Sequence, residues 1–168
     1  MQVAYVVEDI EKAMKEWTET LGVGPFFLFE HFALDDYRYR GKPGDIDITL
    51  ALGFSGSMCF ELIVQHSKAP SVYTEVIDSR GYGFHHWAIS TDSFDDDLAR
   101  HVAAGDAEVL YGMVPDPING RAAYVDVMAK TGGMIELIEI NPAVEEFFSV
   151  LKDPSVNWNG KDPIRTLG

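Results

Sequence analysis

Two stretches of the chain, QVAYVV at residues 2–7 and HWAIST at residues 86–91, share one pattern that decides the fold. Each begins with a polar side chain and continues as a short apolar strand. Two later stretches, GSMCFELI at residues 56–63 and GGMIELI at residues 132–138, also match each other, and each carries a central glutamate. The chain therefore consists of two similar halves, each with an early strand led by a polar residue and a late strand with a glutamate.

The repeat marks one position on each of four strands, and these positions hold Gln2, Glu61, His86 and Glu136. All four side chains can bind a hard or borderline divalent cation. A glutamate between two apolar neighbours on a central strand points inward or into a groove, where an unpaired charge is very costly. The pattern predicts one divalent ion (Zn, Ni, Co or Mn) among these four side chains. The simpler alternative is that each glutamate faces solvent and that the histidine is an ordinary core or surface residue.

The chain has a second histidine, His85, next to His86, and strand alternation indicates which of the two is the candidate metal ligand. Neighbours in a strand face opposite sides, and the alignment of the repeat places His86, not His85, at the Gln2 position. The remaining histidines, His31, His66 and His101, have no counterpart in the other half. We therefore expect them to be surface or packing residues.

Composition excludes several classes of protein. The 168 residues suffice for one or two small domains, and the net charge of −14 disfavours nucleic acid and anionic membrane as partners. The chain has no run of 18 apolar residues, so no membrane span is expected. The single cysteine, Cys59, excludes an internal disulfide, and the first residues lack the layout of a signal peptide. These features favour a cytoplasmic protein.

Apolar periodicity and turn residues predict the order β-α-β-β-β twice. In the first half, strands are expected at residues 2–7, 26–40, 46–54 and 58–65, with a helix that Asp9 caps and Gly22 ends. In the second half, strands are expected at residues 84–90, 108–111, 121–128 and 134–140, with a helix after Ser93. A short helix is expected near residues 71–77, Asn141 caps a final helix, and the residues beyond it form a loose tail. The predicted organisation is one domain at residues 1–141 (first module 2–65, connector 66–83, second module 84–141), followed by a C-terminal helix and tail at residues 142–168.

The chain resembles the vicinal oxygen chelate (VOC) superfamily, which includes glyoxalase I, methylmalonyl-CoA epimerase, extradiol dioxygenases and bleomycin-resistance proteins. The resemblance rests on the paired β-α-β-β-β order and on the stretches VAYVVEDI at residues 3–10, LGVGPF at 21–26, GFHHWAI at 83–89 and ELIE at 136–139. It implies an α+β fold in which two modules form a curved half-barrel sheet around a metal cleft, with a C-terminal helix added. It also implies pairing of chains into a homodimer.

The resemblance carries the ligand set over position by position: Gln2 on the first strand, Glu61 on the fourth, His86 on the fifth and Glu136 on the eighth. This set is similar to that of one class of glyoxalase I. The epimerases typically have histidine at the Gln2 position and glutamine at the Glu61 position, so this chain departs from them at both. No other cofactor is implied.

The expected function is that of a divalent-metal-dependent isomerase or lyase acting on a small carbonyl compound or acid, of the glyoxalase I or acyl-CoA epimerase kind. A base removes the proton next to a carbonyl that the metal holds, through an enolate or enediolate. Glu136 is the expected base, and Glu61 is the second candidate. An epimerase would need cations for its coenzyme A tail, and Arg38, Arg40, Lys42 and Arg121 are the candidates. Two alternatives remain: a metal-free protein that sequesters a small molecule, and an extradiol-type Fe(II) dioxygenase.

Overall fold

The computed structural model describes residues 1–166, which form a mixed α+β fold built on one strongly curved sheet that does not close. The predicted fold class is confirmed. In chain order the elements are β1 (Gln2–Val6), α1 (Ile10–Leu21), β2 (Phe26–Phe32), β3 (Asp35–Tyr39), β4 (Lys42–Pro43), β5 (Ile48–Ser55), β6 (Met58–Gln65), α2 (Val72–Arg80), β7 (Gly83–Thr91), α3 (Phe94–Ala103), β8 (Ala107–Met113), β9 (Arg121–Asp126), α4 (Met128–Thr131), β10 (Met134–Glu139), α5 (Pro142–Lys152), a 3₁₀ turn (Asp153–Ser155) and β11 (Ile164–Arg165). Within residues 1–166, no helix has the length and apolar character needed to cross a membrane.

The internal repeat extends to the register of the strands. Within the first half, Gln2 in β1 lies opposite Cys59 in β6, and within the second half His86 in β7 lies opposite Met134 in β10. In both halves the glutamate follows two residues after this partner, so it points to the same face as the partner. β1 and β7 pair antiparallel in the centre of the sheet, with Val3 opposite Trp87. Because Val3 and Trp87 are equivalent in the repeat, the halves are related by an approximate two-fold axis at this pair.

Helix α1 begins and ends where its sequence predicts. The Asp9 side chain accepts a hydrogen bond from the Lys12 amide, and Gly22 ends the helix with a left-handed φ of 65°. Its buried residues Ala13 and Met14 pack on the outer face of the first half-sheet, against Phe26 and Leu62 among others. The inner face of the same strands is left to line a cleft.

The predicted strand over residues 26–40 is in fact two strands that belong to different parts of the sheet. β2 pairs with β5 at the edge of the first half, whereas β3 pairs with β8 at the edge of the second half. β2 is irregular before it ends, with a shift in register between Phe29 and Phe32 and a φ of 51° at His31. The first module therefore supplies a strand to the second.

Two helices close the ends of the cleft. Near one end, α2 buries Val72, Tyr73 and Val76 in a core shared by both half-sheets. Near the other end, Leu151 of α5 is fully buried in a cluster with Phe27, Leu52 and other residues of the inner face of the first half-sheet. Asn141 caps α5 as predicted, accepting a hydrogen bond from the Val144 amide.

The expectation of a loose tail beyond α5 is wrong for part of that segment. β11 pairs parallel with β2, and the Phe26 amide donates to the Pro163 carbonyl. The Trp158 ring packs so closely on Gly24 that a side chain at residue 24 would clash with it. The tail covers the exposed edge of β2, which would otherwise present unpaired backbone groups.

Candidate metal centre

The four side chains marked by the repeat lie buried on the inner face of the sheet. Their exposed fractions are 6% for Gln2, 6% for Glu61, 0% for His86 and 9% for Glu136. They come from four adjacent strands in the centre of the sheet, in the order β6-β1-β7-β10. One chain supplies all four.

Three of these side chains converge. His86 Nε2 lies 3.4 Å from Glu61 Oε2 and 3.3 Å from Glu136 Oε2, and the three ligand atoms all lie within 4.8 Å of one another. Gln2 contacts the group through its Nε2, which donates to Glu61 Oε2 at 2.8 Å. In this arrangement Gln2 orients Glu61, and its oxygen becomes a ligand only if the amide turns over.

His85 lies on the same side of the strand as His86, contrary to the alternation that the sequence predicts. A bulge in β7 causes this: Ala4 lies opposite His86 and Tyr5 opposite Phe84, so His85 is the extra residue. Both histidines are fully buried, and their Nδ1 atoms lie 2.8 Å apart.

The hydrogen bonds of His85 determine which nitrogen of His86 is free. His85 Nε2 lies 3.1 Å from the Val72 carbonyl, which can only accept, so His85 donates through Nε2. Burial lowers the pKa of His85 to about 3, so its Nδ1 is unprotonated and accepts from His86 Nδ1–H. When His86 loses its second proton, its lone pair is therefore on Nε2, which faces the two glutamates.

The electrostatics of the cluster favour a positive charge at its centre. Burial by itself lowers the pKa of His86, but contact with Glu136 and Glu61 outweighs burial and raises this pKa to about 9. Burial raises the pKa of Glu61, and contact with His86 opposes that shift. Two buried carboxylates thus surround a point where a proton on His86 offsets part of their charge and a divalent cation would offset all of it.

The donor set fits a divalent ion. His86 Nε2 is buried and makes no hydrogen bond of normal length among residues 1–166, since the nearest oxygens are those of Glu136 and Glu61 at 3.3 and 3.4 Å. Two donor atoms that are each about 2.1 Å from one ion lie about 3.0–3.4 Å apart, close to the separations found here. One imidazole and two carboxylates suit Zn²⁺ and its first-row neighbours.

A cavity of about 150 Å³ opens beside this cluster, and Gln2, Glu61 and Glu136 line it. Two tyrosines that the repeat does not mark also line it, Tyr73 from α2 and Tyr124 from β9. Their hydroxyl oxygens lie 3.4 Å apart, and the Tyr124 ring packs edge-on against His86. Burial raises both pKa values well above the ordinary range, so both hydroxyls are neutral donors. Neither tyrosine had a sequence signal, since neither is matched between the halves.

Two of the four cations proposed for an anionic substrate tail are paired with carboxylates. Arg40 contacts Glu75 through two nitrogens, and Arg121 contacts both Asp95 and Glu139. Arg38 lies over the Tyr111 ring at 5.5 Å. Lys42 is exposed on the two-residue strand β4.

A second group with ligand-like spacing lies at the surface, formed by His31, Asp47 and His66. His31 Nδ1 lies 2.9 Å from Asp47 Oδ1, and these side chains are 73% and 47% exposed. His66 Nε2 contacts the Thr49 hydroxyl at 2.7 Å. Hydrogen bonds between surface side chains account for this arrangement.

Comparison with known proteins agrees with the fold. A methylmalonyl-CoA epimerase from Mycobacterium tuberculosis superposes with a TM-score of 0.58 at 21% identity, covering 86% of this chain and 89% of its own. A hypothetical protein from Bacillus halodurans C-125 gives a TM-score of 0.57 at 20% identity, covering 83% and 92%. A Streptomyces coelicolor methylmalonyl-CoA epimerase in complex with 2-nitronate-propionyl-CoA gives 0.55 at 16% identity, covering 84% and 93%. At these identities the likeness shows the fold alone.

No curated protein sequence matches the chain. The family model for the glyoxalase/bleomycin resistance protein/dioxygenase superfamily, however, matches residues 1–125, which is most of the chain and includes three of the four marked positions. Together with the duplicated half-sheets and their buried cluster, this match shows that the chain belongs to the glyoxalase/bleomycin resistance protein/dioxygenase superfamily, the VOC superfamily.

Proposed function

We propose that this protein is a divalent-metal-dependent isomerase or lyase that removes a proton next to a carbonyl group. The observation that carries the proposal is the buried convergence of three ligand atoms: His86 Nε2 lies 3.3 and 3.4 Å from carboxylate oxygens of Glu136 and Glu61. Glu61, His86 and Glu136 would hold the ion, and Gln2 would support Glu61. A bound divalent ion supplies a Lewis acid, which favours the negative charge that develops on a substrate oxygen when the neighbouring C–H bond breaks.

Glu136 is the proposed base. Its carboxylate is buried at the cluster and also lines the cavity, so one of its oxygens can reach a proton on a substrate carbon there. Glu61 occupies the equivalent place in the first half, but it already accepts the hydrogen bond of Gln2. Glu136 has no such side-chain donor within residues 1–166, apart from its contact with His86, and is therefore freer to take and return a proton.

Tyr73 and Tyr124 are proposed to orient the substrate. Their 3.4 Å separation is long for a hydroxyl–hydroxyl hydrogen bond, so each can turn its proton toward a substrate oxygen in the cavity. Since both remain neutral, they act as hydrogen-bond donors.

Two features of the site disfavour the alternatives. A sequestering protein would be expected to pair its cleft glutamates with arginine, but in the described part of the chain Glu61 and Glu136 contact His86 instead. An extradiol dioxygenase uses two histidines and one carboxylate for Fe(II). This cluster has one histidine and two carboxylates, and its second histidine, His85, uses both nitrogens in hydrogen bonds.

The direct test follows solvent deuterium into a substrate. The protein is stripped with a chelator, reloaded separately with Zn²⁺, Ni²⁺, Co²⁺ or Mn²⁺, and incubated in D₂O with the glutathione hemithioacetal of methylglyoxal, methylmalonyl-CoA or 2-hydroxyacetophenone. We expect metal-dependent exchange of the proton next to the carbonyl in at least one of them. Absence of metal uptake by the folded protein would overturn the proposal.

Pairing into a homodimer and a cytoplasmic location are also proposed, on the resemblance and on the single buried, unbridged Cys59. Because one chain supplies every member of the cluster, pairing is not required to complete it. Light scattering coupled to gel filtration measures the state in solution.

A further inference from the structure

The cavity beside the cluster has the size of one aromatic ring. Its volume is about 150 Å³, and an apolar protein cavity of about that volume is known to hold benzene. Pockets that enclose drug-sized ligands are larger, about 300–1,000 Å³. The space therefore matches a substrate group of about this size next to the ion.

The walls of this cavity are apolar away from the cluster. Phe29 packs against Phe147 with ring centroids 5.6 Å apart, and Phe147 packs against Phe148 at 5.4 Å. The other apolar walls come from strands of both halves and from α5, and they include Leu50, Leu52, Ala122, Ile138 and Val144. No lysine or arginine from residues 1–166 lines it.

Helix α5 sets the size of the cavity. It contributes Val144, Phe147 and Phe148 to the walls, and Leu151 one turn later anchors it to the inner face of the first half-sheet. A large substituent directed toward α5 would have to displace this helix, whose anchor residue is fully buried.

The charges around the cleft do not suit a polyphosphate tail. Phosphate groups are recognised by arginine and lysine that are free to form charge-assisted hydrogen bonds. Arg40 and Arg121 are bound to carboxylates, Arg38 lies over the Tyr111 ring, and none of these or Lys42 lines the cavity. The overall charge of −14 also repels a multiply charged anion.

We propose that the substrate is a small carbonyl compound or monoacid carrying one benzene-sized apolar group, which this cavity binds, and that coenzyme A thioesters are not substrates. The inference rests on the proposed function, because the ion would hold the oxygen atoms of the same molecule. It adds that Phe29, Phe147 and Phe148 determine specificity.

Two kinds of probe test the cavity and the ion separately. Fluorobenzene, followed by ¹⁹F NMR with the metal-free protein, reports on the cavity alone. Benzohydroxamate and acetohydroxamate, titrated by calorimetry into the Zn²⁺-loaded protein, share a metal-binding group and differ in the ring. We expect fluorobenzene to bind, and benzohydroxamate to bind at least about tenfold more tightly than acetohydroxamate, since burial of the ring contributes to only one of them.

Variants assign any binding to this cavity. Ala122→Leu fills it and should abolish fluorobenzene binding and the tenfold preference, while acetohydroxamate binding is retained. Ile138→Phe, at a half-buried wall position, serves the same purpose if the first variant does not fold. Val150→Ala is the control, because Val150 lies on α5 but is 42% exposed and outside the cavity.

The outcomes separate the two proposals. If acetohydroxamate binds the metal but fluorobenzene does not bind, or if the ring confers no preference, the inference is overturned and the proposed function stands. Methylmalonyl-CoA binding as tightly as benzohydroxamate would also overturn the inference. If fluorobenzene binds and neither hydroxamate does, the proposed function fails and the substrate inference fails with it.

Discussion

His85 and His86 are consecutive residues whose Nδ1 atoms lie 2.8 Å apart, with His85 bound in turn to the Val72 carbonyl. The bulge in β7 makes this contact possible, because it turns two neighbouring side chains to one face. The result is a chain of hydrogen bonds from the backbone to the proposed ligand. It fixes the ring of His86 and leaves Nε2 to the two glutamates.

His85→Phe is expected to weaken metal binding by about 10–100-fold, the usual effect of removing a partner that orients a ligand. Phenylalanine keeps a ring in the buried space but cannot accept from His86 Nδ1. Competition with a colorimetric zinc chelator measures the affinity. His101→Phe is the matched control, since His101 contacts Asp106 on the far side of the second half-sheet. Equal affinities in the two variants would show that His85 does not position His86.

Glu136→Gln is expected to preserve the fold and to reduce turnover by about 10²–10⁴-fold, the contribution of a positioned general base. Glutamine has nearly the same shape, but it cannot accept a proton from carbon. Deuterium exchange into the substrate measures the effect, and circular dichroism checks the fold. Glu145→Gln, at an exposed position on α5, is the control. Full activity in Glu136→Gln would reject Glu136 as base and favour Glu61.

Metal binding is expected to release about one proton at neutral pH and to strengthen as pH rises. The pKa of His86 is raised from 6.5 to about 9, so the metal-free protein holds this proton until the pH approaches 9. The proton stabilises the metal-free fold fully below about pH 6.5, and this contribution is lost as pH rises through about 9. An ion takes the place of the proton, so the gain in Tm on adding metal should grow between about pH 6.5 and 9.

Calorimetry in buffers of different ionisation enthalpy counts the released proton, and thermal melts with and without Zn²⁺ follow the stability. A gain in Tm that stays constant over this range would contradict the assigned protonation state of His86.

Leu151→Ala is expected to lower the free energy of unfolding by about 2–5 kcal/mol, the usual loss for a buried leucine. Leu151 is fully buried between α5 and the inner face of the first half-sheet. Urea denaturation measures the change. Val150→Ala, one residue earlier and at an exposed position, should change it by no more than about 0.5 kcal/mol. A loss below about 1 kcal/mol for Leu151→Ala would mean that α5 is not anchored there.

The sequence predicted most of the architecture because the chain is duplicated. A match between two halves filters out accidental polar residues, and the marked positions Glu61, His86 and Glu136 lie together in the structure. The helix boundaries at Asp9, Gly22 and Asn141 were predictable because caps depend on local backbone geometry.

Features that depend on pairing between distant segments were not predictable. The position of His85 follows from a bulge, which a period of two cannot reveal. The division of residues 26–40 into β2 and β3 depends on which strand edges are available, and the pairing of Ile164–Arg165 depends on the open edge of β2. The two tyrosines Tyr73 and Tyr124 meet only because α2 packs between the half-sheets.

The pairing of β3 with the second half of the sheet affects how this molecule could be divided. By sequence β3 belongs to the first module, but its ladder partner is β8 of the second. A cut in the connector at residues 66–71 would leave the N-terminal fragment with a strand that has lost its neighbour and the C-terminal fragment with an uncovered edge. The two fragments should therefore be insoluble when expressed apart and should recover the native assembly when expressed together. Although its two halves repeat one another, the molecule would then fold only when both are present.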